Sequence, residues 1–310
     1  MLQYVIRRLL HMIPIVIGVA ALVFTLFTTV GEDPALVALG QHATAEALAD
    51  LRAEWGLDKP TLMQFVDFLG QIATFDYGRS FNTNEKLSDI FRAGAVVSLS
   101  LTVLPYFFGA LTNIAIAMLI AFYRGSLFDR VSTIVFVAGM SISYLVYIIA
   151  FQYLLAFQFD WFPISGYATG VDSVQYLLLP WIIILVVAAG PEIRVYRTVF
   201  LDETKADYVR TAFAKGLGSG RVLFKHILKN AMIPILTNMV IGIPFLILGA
   251  FLLERFFSIP GLGDILINAI NTGDFPIIKG LSVLIAIAYS FFNLLTDVLY
   301  AFVDPRVQLS

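Results

Sequence analysis

Six long runs of apolar residues, separated by polar segments, dominate the pattern of this chain. About 20 consecutive apolar residues are enough to cross a bilayer as an α-helix. Transmembrane β-strands are shorter and alternate in polarity, so helices are expected here rather than a barrel. The pattern predicts an all-α polytopic membrane protein with six transmembrane helices, and the runs are 9–30, 95–122, 131–159, 174–190, 231–253 and 281–303.

The first apolar run follows Arg7 and Arg8, so a secretory signal peptide is an alternative interpretation of it. Its apolar stretch is longer than the roughly 7–15 residues usual in signal peptides, and no clear small-residue cleavage site follows. We therefore expect a retained first transmembrane helix.

Positively charged residues indicate the orientation, because Lys and Arg concentrate in the cytoplasmic loops of membrane proteins. If the N-terminus lies inside, six crossings return the C-terminus to the same side, and the basic segment 194–230 also lies inside. We predict an N-in, C-in protein of the bacterial inner (cytoplasmic) membrane. Its parts are an N-terminal cytoplasmic end with the first helix at 1–30, a periplasmic loop at 31–94, and a five-helix core at 95–310 with a cytoplasmic loop at 201–230 and a periplasmic hairpin at 254–279.

The predicted periplasmic loop at 31–94 has a helical pattern. Apolar side chains recur at helical spacing at Ala47, Leu51 and Trp55, and Thr44 is a suitable helix start. Two interpretations of the loop are open at this point: a solvated cap over the outer mouth, or a docking surface for an external partner.

The composition limits the kinds of functional site that the chain can contain. The chain is 59% hydrophobic, only 14% charged, and has a net charge of −2. It has no cysteine, which excludes disulfides, thiolate metal sites and cysteine nucleophiles. His11, His42 and His226 are far apart and lack metal-ligand spacing, and no nucleophile–base set is evident. We expect a non-catalytic protein that binds no metal or cofactor.

Residues 207–230 form a basic segment directly joined to apolar runs on either side. The sequence predicts a helix over 207–217, a break at 216–220, and a second amphipathic helix with Arg221, Lys225 and Lys229 at i, i+4 spacing. In the first helix one face holds Val209, Ala212, Phe213, Gly216 and Leu217, and the other holds Asp207, Arg210, Thr211, Ala214 and Lys215.

Several functions compete for this segment. A phosphate-binding loop is excluded, since Arg221 is followed by Val222 where that motif needs Ser or Thr after a lysine. A DNA-reading helix–turn–helix does not fit a segment tethered at both ends to the bilayer, so no nucleic-acid partner is expected. Contact with anionic membrane lipid accounts for the charge but not for the glycine break. An elbow that protrudes towards a partner protein accounts for both.

The segment resembles the cytoplasmic "EAA" loop of ABC importer permeases, in the form used by the peptide and nickel branch. The residues that carry the resemblance are Tyr208-Val209-Arg210-Thr211-Ala212 and Ala214-Lys215-Gly216-Leu217. Other stretches across nearly the whole chain are similar to that branch: YVIRRLL at 4–10, YGRS at 77–80, FPISG at 162–166, FSIPGLG at 257–263, DFP at 274–276 and DPR at 304–306.

The resemblance implies a type I ABC importer permease fold that moves peptides by alternating access. It implies a heterodimer with a homologous second permease subunit, two cytoplasmic ATPase subunits that use ATP and Mg, and an external substrate-binding protein. Val209, Ala212, Phe213 and Leu217 would pack into a groove on the ATPase, while Arg210 and Lys215 would pair with acidic residues there. The implied coupling residues are Asp207, Tyr208, Val209, Arg210, Thr211, Ala212, Phe213, Ala214, Lys215, Gly216 and Leu217.

Departures from the branch pattern bear on the substrate. Phe213 stands where a basic residue is usual, Glu32 replaces the glycine of a Gly-Asp-Pro sequence, and Ser143-Tyr144 lacks a common proline. Nickel, glycan fragments and other small solutes therefore stay open beside peptides. An ion-gradient-driven secondary transporter is the alternative of a different class, but it needs intramembrane charged relays and usually internal inverted repeats. The chain has one candidate carboxylate, Asp297, and no obvious repeat.

Polar residues within the apolar runs are candidates for a translocation path. Asp297 lies near the cytoplasmic end of the last run, and we interpret it as bonded to neighbouring helices. The hairpin at 254–279 is either an interfacial or re-entrant element, or an outer gate that touches the binding protein. The candidate path residues are Asn113, Gln152, Asn238 and Asn293.

Overall fold

The computed structural model describes residues 2–29, 33–40, 44–246 and 251–303. Within these ranges the regular structure is helical, apart from an isolated antiparallel bridge between Arg79 and Lys86. The helices are α1 (Leu2–Thr29), α2 (Pro34–Leu39), α3 (Ala45–Glu54), α4 (Thr61–Thr74), α5 (Leu87–Phe122), α6 (Leu127–Met140), α7 (Tyr144–Phe151), α8 (Ser173–Glu203), α9 (Asp207–Ala214), α10 (Ser219–Val222), α11 (Leu228–Gly242), α12 (Phe251–Phe257), α13 (Leu262–Thr272) and α14 (Phe275–Val303).

Four helical segments are long and apolar enough to cross a membrane, and the bent pair α6–α7 makes a fifth if it counts as one span. Large apolar side chains on these helices are exposed, such as Leu111, Ile134 and Leu104. An apolar surface of this extent is typical of contact with lipid rather than with water. The four segments are Ile6–Thr28, Leu87–Phe122, Gly170–Glu203 and Phe275–Leu299.

The predicted span at 231–253 is not one regular helix in the part that the structure describes. Helix α11 ends at Gly242, a 3-10 turn follows at Ile243–Leu246, and α12 begins at Phe251. Residues 247–250 lie outside the described ranges, as do Glu32 and the DPR stretch at 304–306. The structure thus supports four or five spans, and the sixth span and the orientation stay predictions.

The predicted span at 131–159 is bent, because α6 and α7 meet at an angle of 97°, and whether the pair forms one span stays a prediction. The helix stops at Met140, and Ser143 takes up an extended conformation before α7 begins. The hydroxyl of Tyr147 then donates to the carbonyl of Gly139 at 2.9 Å, in addition to the Ile142 N–H at 3.2 Å, and this bond connects α7 to the end of α6. A π-helical turn at Gln152–Gln158 continues α7.

Helix α5 connects the three hydrophobic clusters of the molecule. Its first turns, at Leu87 and Phe91, pack in a cluster with α1, α4, α13 and α14. Its middle, at Leu101, packs against α7, α8 and α12. Its last turns, at Ile120 and Ala121, pack with the end of α8 and with α9. A displacement at one end of α5 is therefore passed along a close-packed interior to the other.

The predicted outer loop folds onto the helices rather than away from them. The prediction of a helix start at Thr44 is confirmed, because its hydroxyl accepts the Ala47 N–H at 3.2 Å. Helix α4 buries Phe68 and Ile72 in the same cluster as Phe24 of α1. This packing favours a structural cap at this end of the helices.

Candidate functional site

Helix α9 lies where the sequence predicts a helix, and a glycine in a left-handed conformation follows its end. The Gly216 and Leu217 N–H groups donate to the carbonyls of Phe213 (2.9 Å) and Ala212 (3.3 Å), the bonding pattern of a Schellman end. Gly216 has φ +78°, a left-handed conformation that favours glycine. The predicted helix at 207–217 is therefore shorter, Asp207–Ala214, and Ser219 and Gly220 already belong to α10.

The inner face of α9 is part of the protein's own core. Val209 is 3% exposed and Ala212 is 4% exposed, and both belong to the cluster with the ends of α5 and α8. Leu217 packs against the same cluster. The chain itself covers Val209 and Ala212, so these two side chains are not open to a groove on another protein, whereas Leu217 is half-buried and its part in coupling stays a prediction. Burial fixes α9 to the helix ends.

The outer face of α9 is open to solvent. Asp207, Arg210, Thr211, Ala214 and Lys215 are exposed, and the Phe213 side chain is 50% exposed. Arg210 lies 3.6 Å from Asp207 within the same helix, an exposed pair of small energetic value. A half-exposed phenylalanine among charged side chains suits contact with another protein, because aromatic residues and Arg are enriched at such interfaces.

Tyr208 attaches the start of α9 to the end of α8. Its hydroxyl donates to the carboxylate of Glu203. Burial, together with this hydrogen bond to a carboxylate, raises the pKa of the Tyr208 hydroxyl to about 12. The tyrosine therefore stays protonated and keeps donating at any physiological pH.

The predicted basic face of the second helix is exposed as expected, at Arg221, Lys225 and Lys229.

The four candidate path residues lie on four different elements, and each has different surroundings in the described part of the chain. Asn113 of α5 is 2% exposed and donates to the Glu192 carboxylate at 2.9 Å, so it is a buried helix-to-helix contact. Gln152 donates to the carbonyls of Ile164 (2.7 Å) and Phe256 (3.3 Å). Asn238 of α11 is exposed and Asn293 of α14 is half-buried.

Asp297 is bonded to a neighbouring helix, as the sequence interpretation held. Its carboxylate lies 2.9 Å from the Arg8 guanidinium, which joins α14 to α1. Another charged pair was not foreseen: Asp129 of α6 binds Arg197 of α8 at 2.7 Å. The hydropathy pattern does not reveal such ion pairs, because the two residues of each pair lie at the polar ends of different apolar runs.

Two buried carboxylates hold the predicted hairpin at 254–279 in place. Asp274, 1% exposed, accepts hydrogen bonds from the Ser80 hydroxyl at 2.5 Å and from the N–H groups of Phe81 and Asn82, both at 3.3 Å. This contact joins the YGRS and DFP stretches, so the two motifs form one structural feature.

Glu254 is the second buried carboxylate, and it is 0% exposed. It accepts from the Ser98 hydroxyl at 2.7 Å and from the Gly263 N–H at 2.7 Å, at the start of α13. Burial raises the pKa of Glu254, which lies outside the candidate spans, although these donors oppose the effect. A Cβ on Gly261 would stand 2.3 Å from the Glu254 carboxyl carbon, which explains a glycine there.

In the described ranges, no group of three or more His, Asp or Glu side chains could hold a metal ion. Helix α9 is amphipathic. Its inner face packs against the ends of long membrane helices, and its outer face is exposed. At the other end of those helices, Asp274 joins the hairpin to the cap, and Glu254 joins it to α5.

Comparison with known proteins gives a family to this arrangement. A family model described as "Binding-protein-dependent transport system inner membrane component" matches residues 113–309, and a second, for the N-terminal part of such components, matches residues 1–102. The dipeptide transport system permease protein DppB of Alkalihalophilus pseudofirmus is 31% identical over 99% of this chain and 100% of its own length. The glutathione transport system permease proteins GsiC of Salmonella typhimurium and Escherichia coli K12 are 32% identical over 99% of both chains. The chain belongs to the binding-protein-dependent transport system inner membrane components, a family of membrane permeases of ABC importers.

Proposed function

We propose that this chain is a membrane-spanning subunit of an ATP-driven importer for short peptides. The observation that carries the proposal is the full-length match to permeases named for dipeptide and glutathione transport. Both names denote short peptides, which favours peptides over nickel or glycan fragments. The same match disfavours an ion-gradient-driven transporter.

The transport cycle that we propose needs a motor outside this chain. Two ATPase subunits on the cytoplasmic side bind ATP and Mg, close on each other, and push the exposed face of α9. Because Val209 and Ala212 are packed against the ends of α5 and α8, the helix and those ends move together. A second, homologous permease subunit completes the path, and an external binding protein delivers the peptide.

The proposed topology has six spans with both termini in the cytoplasm. It is supported by the basic residues near the end that carries α9, among them Arg124, Arg130 and Arg194, because such residues concentrate on the cytoplasmic side. In this orientation α9 faces the cytoplasm, and the hairpin held by Asp274 and Glu254 faces outward. The predicted span at 231–253, which contains most of α11, supplies the fifth crossing.

Reconstitution of the complete importer tests this function. The chain, its partner permease, the two ATPases and the binding protein are inserted into proteoliposomes with ATP inside or outside, and entry of a labelled dipeptide is followed. We expect uptake that requires ATP on the α9 side and stops when a catalytic carboxylate of the ATPase is removed. Uptake that runs on a proton gradient without ATP would contradict the proposal.

A further inference from the structure

A cavity of about 240 Å³ lies between α5, α7, α8 and the turn that follows α11. Most of its lining is apolar, and its polar side chains are those of Thr102, Tyr106, Tyr144 and Glu192. Among the described residues that line this cavity, Glu192 is the one carboxylate, and none is a lysine or an arginine. Small apolar cavities with a few convergent polar groups are the usual form of a ligand site.

Glu192 has little local compensation for its charge. It lies well inside α8, within a segment long and apolar enough to span the membrane. Among the described residues, its carboxylate accepts a hydrogen bond from the Asn113 amide at 2.9 Å. The Tyr106 hydroxyl lines the same cavity but donates to the carbonyl of Met239 instead. A carboxylate in a membrane segment is costly unless a cation or strong donors accompany it, and such residues mark ligand paths.

The carboxylate and the aromatic rings of the cavity favour a ligand with a positively charged group that can donate hydrogen bonds. One carboxylate attracts a single positive charge, and the aromatic rings of Tyr106 and Tyr144 favour an ammonium group nearby. A structural role alone, the contact between α5 and α8, would be served equally by a neutral glutamine at position 192. A carboxylate adds affinity for a positive group.

We propose that Glu192 binds the protonated amino group of the peptide as it passes through the permease. This inference rests on the proposed function, and it names a residue and a substrate group that the comparisons leave unassigned. The volume of about 240 Å³ is below the roughly 300–1,000 Å³ of sites that enclose drug-sized ligands. The site therefore holds the amino-terminal end of a peptide rather than a long chain.

The test compares two peptides in the reconstituted importer: a dipeptide with a free amino group and the same dipeptide with an acetylated amino group. Each is supplied already bound to the binding protein. The variant Glu192→Gln keeps the shape and the acceptor for Asn113 but loses the charge. A hydrogen bond to a charged group contributes about 1.5–3 kcal/mol, so we expect transport of the free-amino peptide to fall about tenfold or more. Transport of the acetylated peptide and stimulation of the ATPases should be unchanged.

A matched pair of variants separates charge from contact. Asn113→Ala removes the hydrogen bond but leaves the carboxylate, so the preference for the free amino group should persist even if overall transport falls. Glu192→Asp keeps the charge on a shorter side chain and should recover part of that preference, which also covers failure of the glutamine variant to assemble.

Two results would overturn the inference. One is an equal loss for both peptides in Glu192→Gln, which would make the residue a structural contact. The other is full transport of the free-amino peptide by that variant. Failure of the wild-type importer to move any peptide would instead contradict the proposed function.

Discussion

Ser80 and Asp274 are joined by a 2.5 Å hydrogen bond across 194 residues of sequence. The bond connects the end of the outer loop to the start of the last membrane helix, α14. Since the N–H groups of Phe81 and Asn82 converge on the same carboxylate, the contact has several donors and one acceptor group. The cap and the hairpin therefore behave as one unit on that side of the molecule.

Removal of the Asp274 carboxylate should destabilise the protein. In Asp274→Ala, the buried Ser80 hydroxyl and the half-buried Phe81 N–H lose their acceptor, and each unsatisfied group costs about 1–3 kcal/mol. We expect a loss of about 2–4 kcal/mol, measured as a lower unfolding temperature of the purified complex in detergent. The matched control is Asp67→Ala, which removes an exposed pair with Lys59 and should cost less than about 1 kcal/mol. Equal effects would show that the contact is dispensable.

A side chain at Gly263 should prevent α13 from reaching its place. A Cβ there would stand 2.2 Å from the Phe251 ring and 2.8 Å from the Phe251 Cα, which belongs to the backbone and cannot rotate away. Overpacking of this kind costs about 1–3 kcal/mol. We expect Gly263→Ala to lower thermal stability and to expose the 254–279 hairpin to protease. Gly220→Ala is the control, because nothing lies within 4 Å of a Cβ there; a protease pattern shared by both variants would count against this account.

The turn after α9 gives a test that separates backbone conformation from packing. A Cβ on Gly216 or on Gly218 meets no atom within 4 Å, but Gly216 alone has a left-handed φ of +78°. A left-handed conformation costs an L-residue about 1–2 kcal/mol. We expect Gly216→Ala to reduce peptide-stimulated ATP hydrolysis by about 5- to 30-fold through a displaced α9, and Gly218→Ala to leave it unchanged. Native hydrolysis in Gly216→Ala would mean that this turn does not set the position of α9.

The two faces of α9 should respond differently to truncation. Phe213→Ala removes a half-exposed ring and should weaken binding of the ATPases without lowering the unfolding temperature of the permease. Val209→Ala opens a gap in the cluster below the helix and should cost about 1–3 kcal/mol of stability. Affinity is measured by retention of the ATPase subunits during purification. If Phe213→Ala unfolds the protein and keeps its ATPases, the assignment of the faces is reversed.

Periodicity along the chain was enough to find α9, the helix start at Thr44 and most of the membrane helices. It placed Val209 and Ala212 on the apolar face of α9 correctly, but it put Phe213 there as well, and that side chain is 50% exposed. It also did not show what covers the face, since Val209 packs equally well in a groove of another protein or in the chain's own core. The contacts with the end of α5, which is distant in sequence, and with the end of α8, which directly precedes α9, decide between the two.

Polar contacts between different helices could not be predicted from the local sequence pattern, because that pattern does not show which helices pack together. Glu192 was overlooked because the apolar run ends at Gly190, although the helix continues to Glu203. The bend between α6 and α7 was missed because a run of apolar residues does not register a hydroxyl such as that of Tyr147 bonding to the end of the previous helix. In both cases the composition of a window says nothing about a hydrogen bond to another turn or helix.

The separation of α9 into a buried face and an exposed face has a consequence for adaptability. Substitutions on the outward side leave the interior undisturbed. If α9 contacts the ATPases as proposed, that side is free to change in step with the ATPase surface that it meets. The inward side has no such freedom. In this way the same set of membrane helices can be adapted to different ATPases by substitution of a few exposed residues.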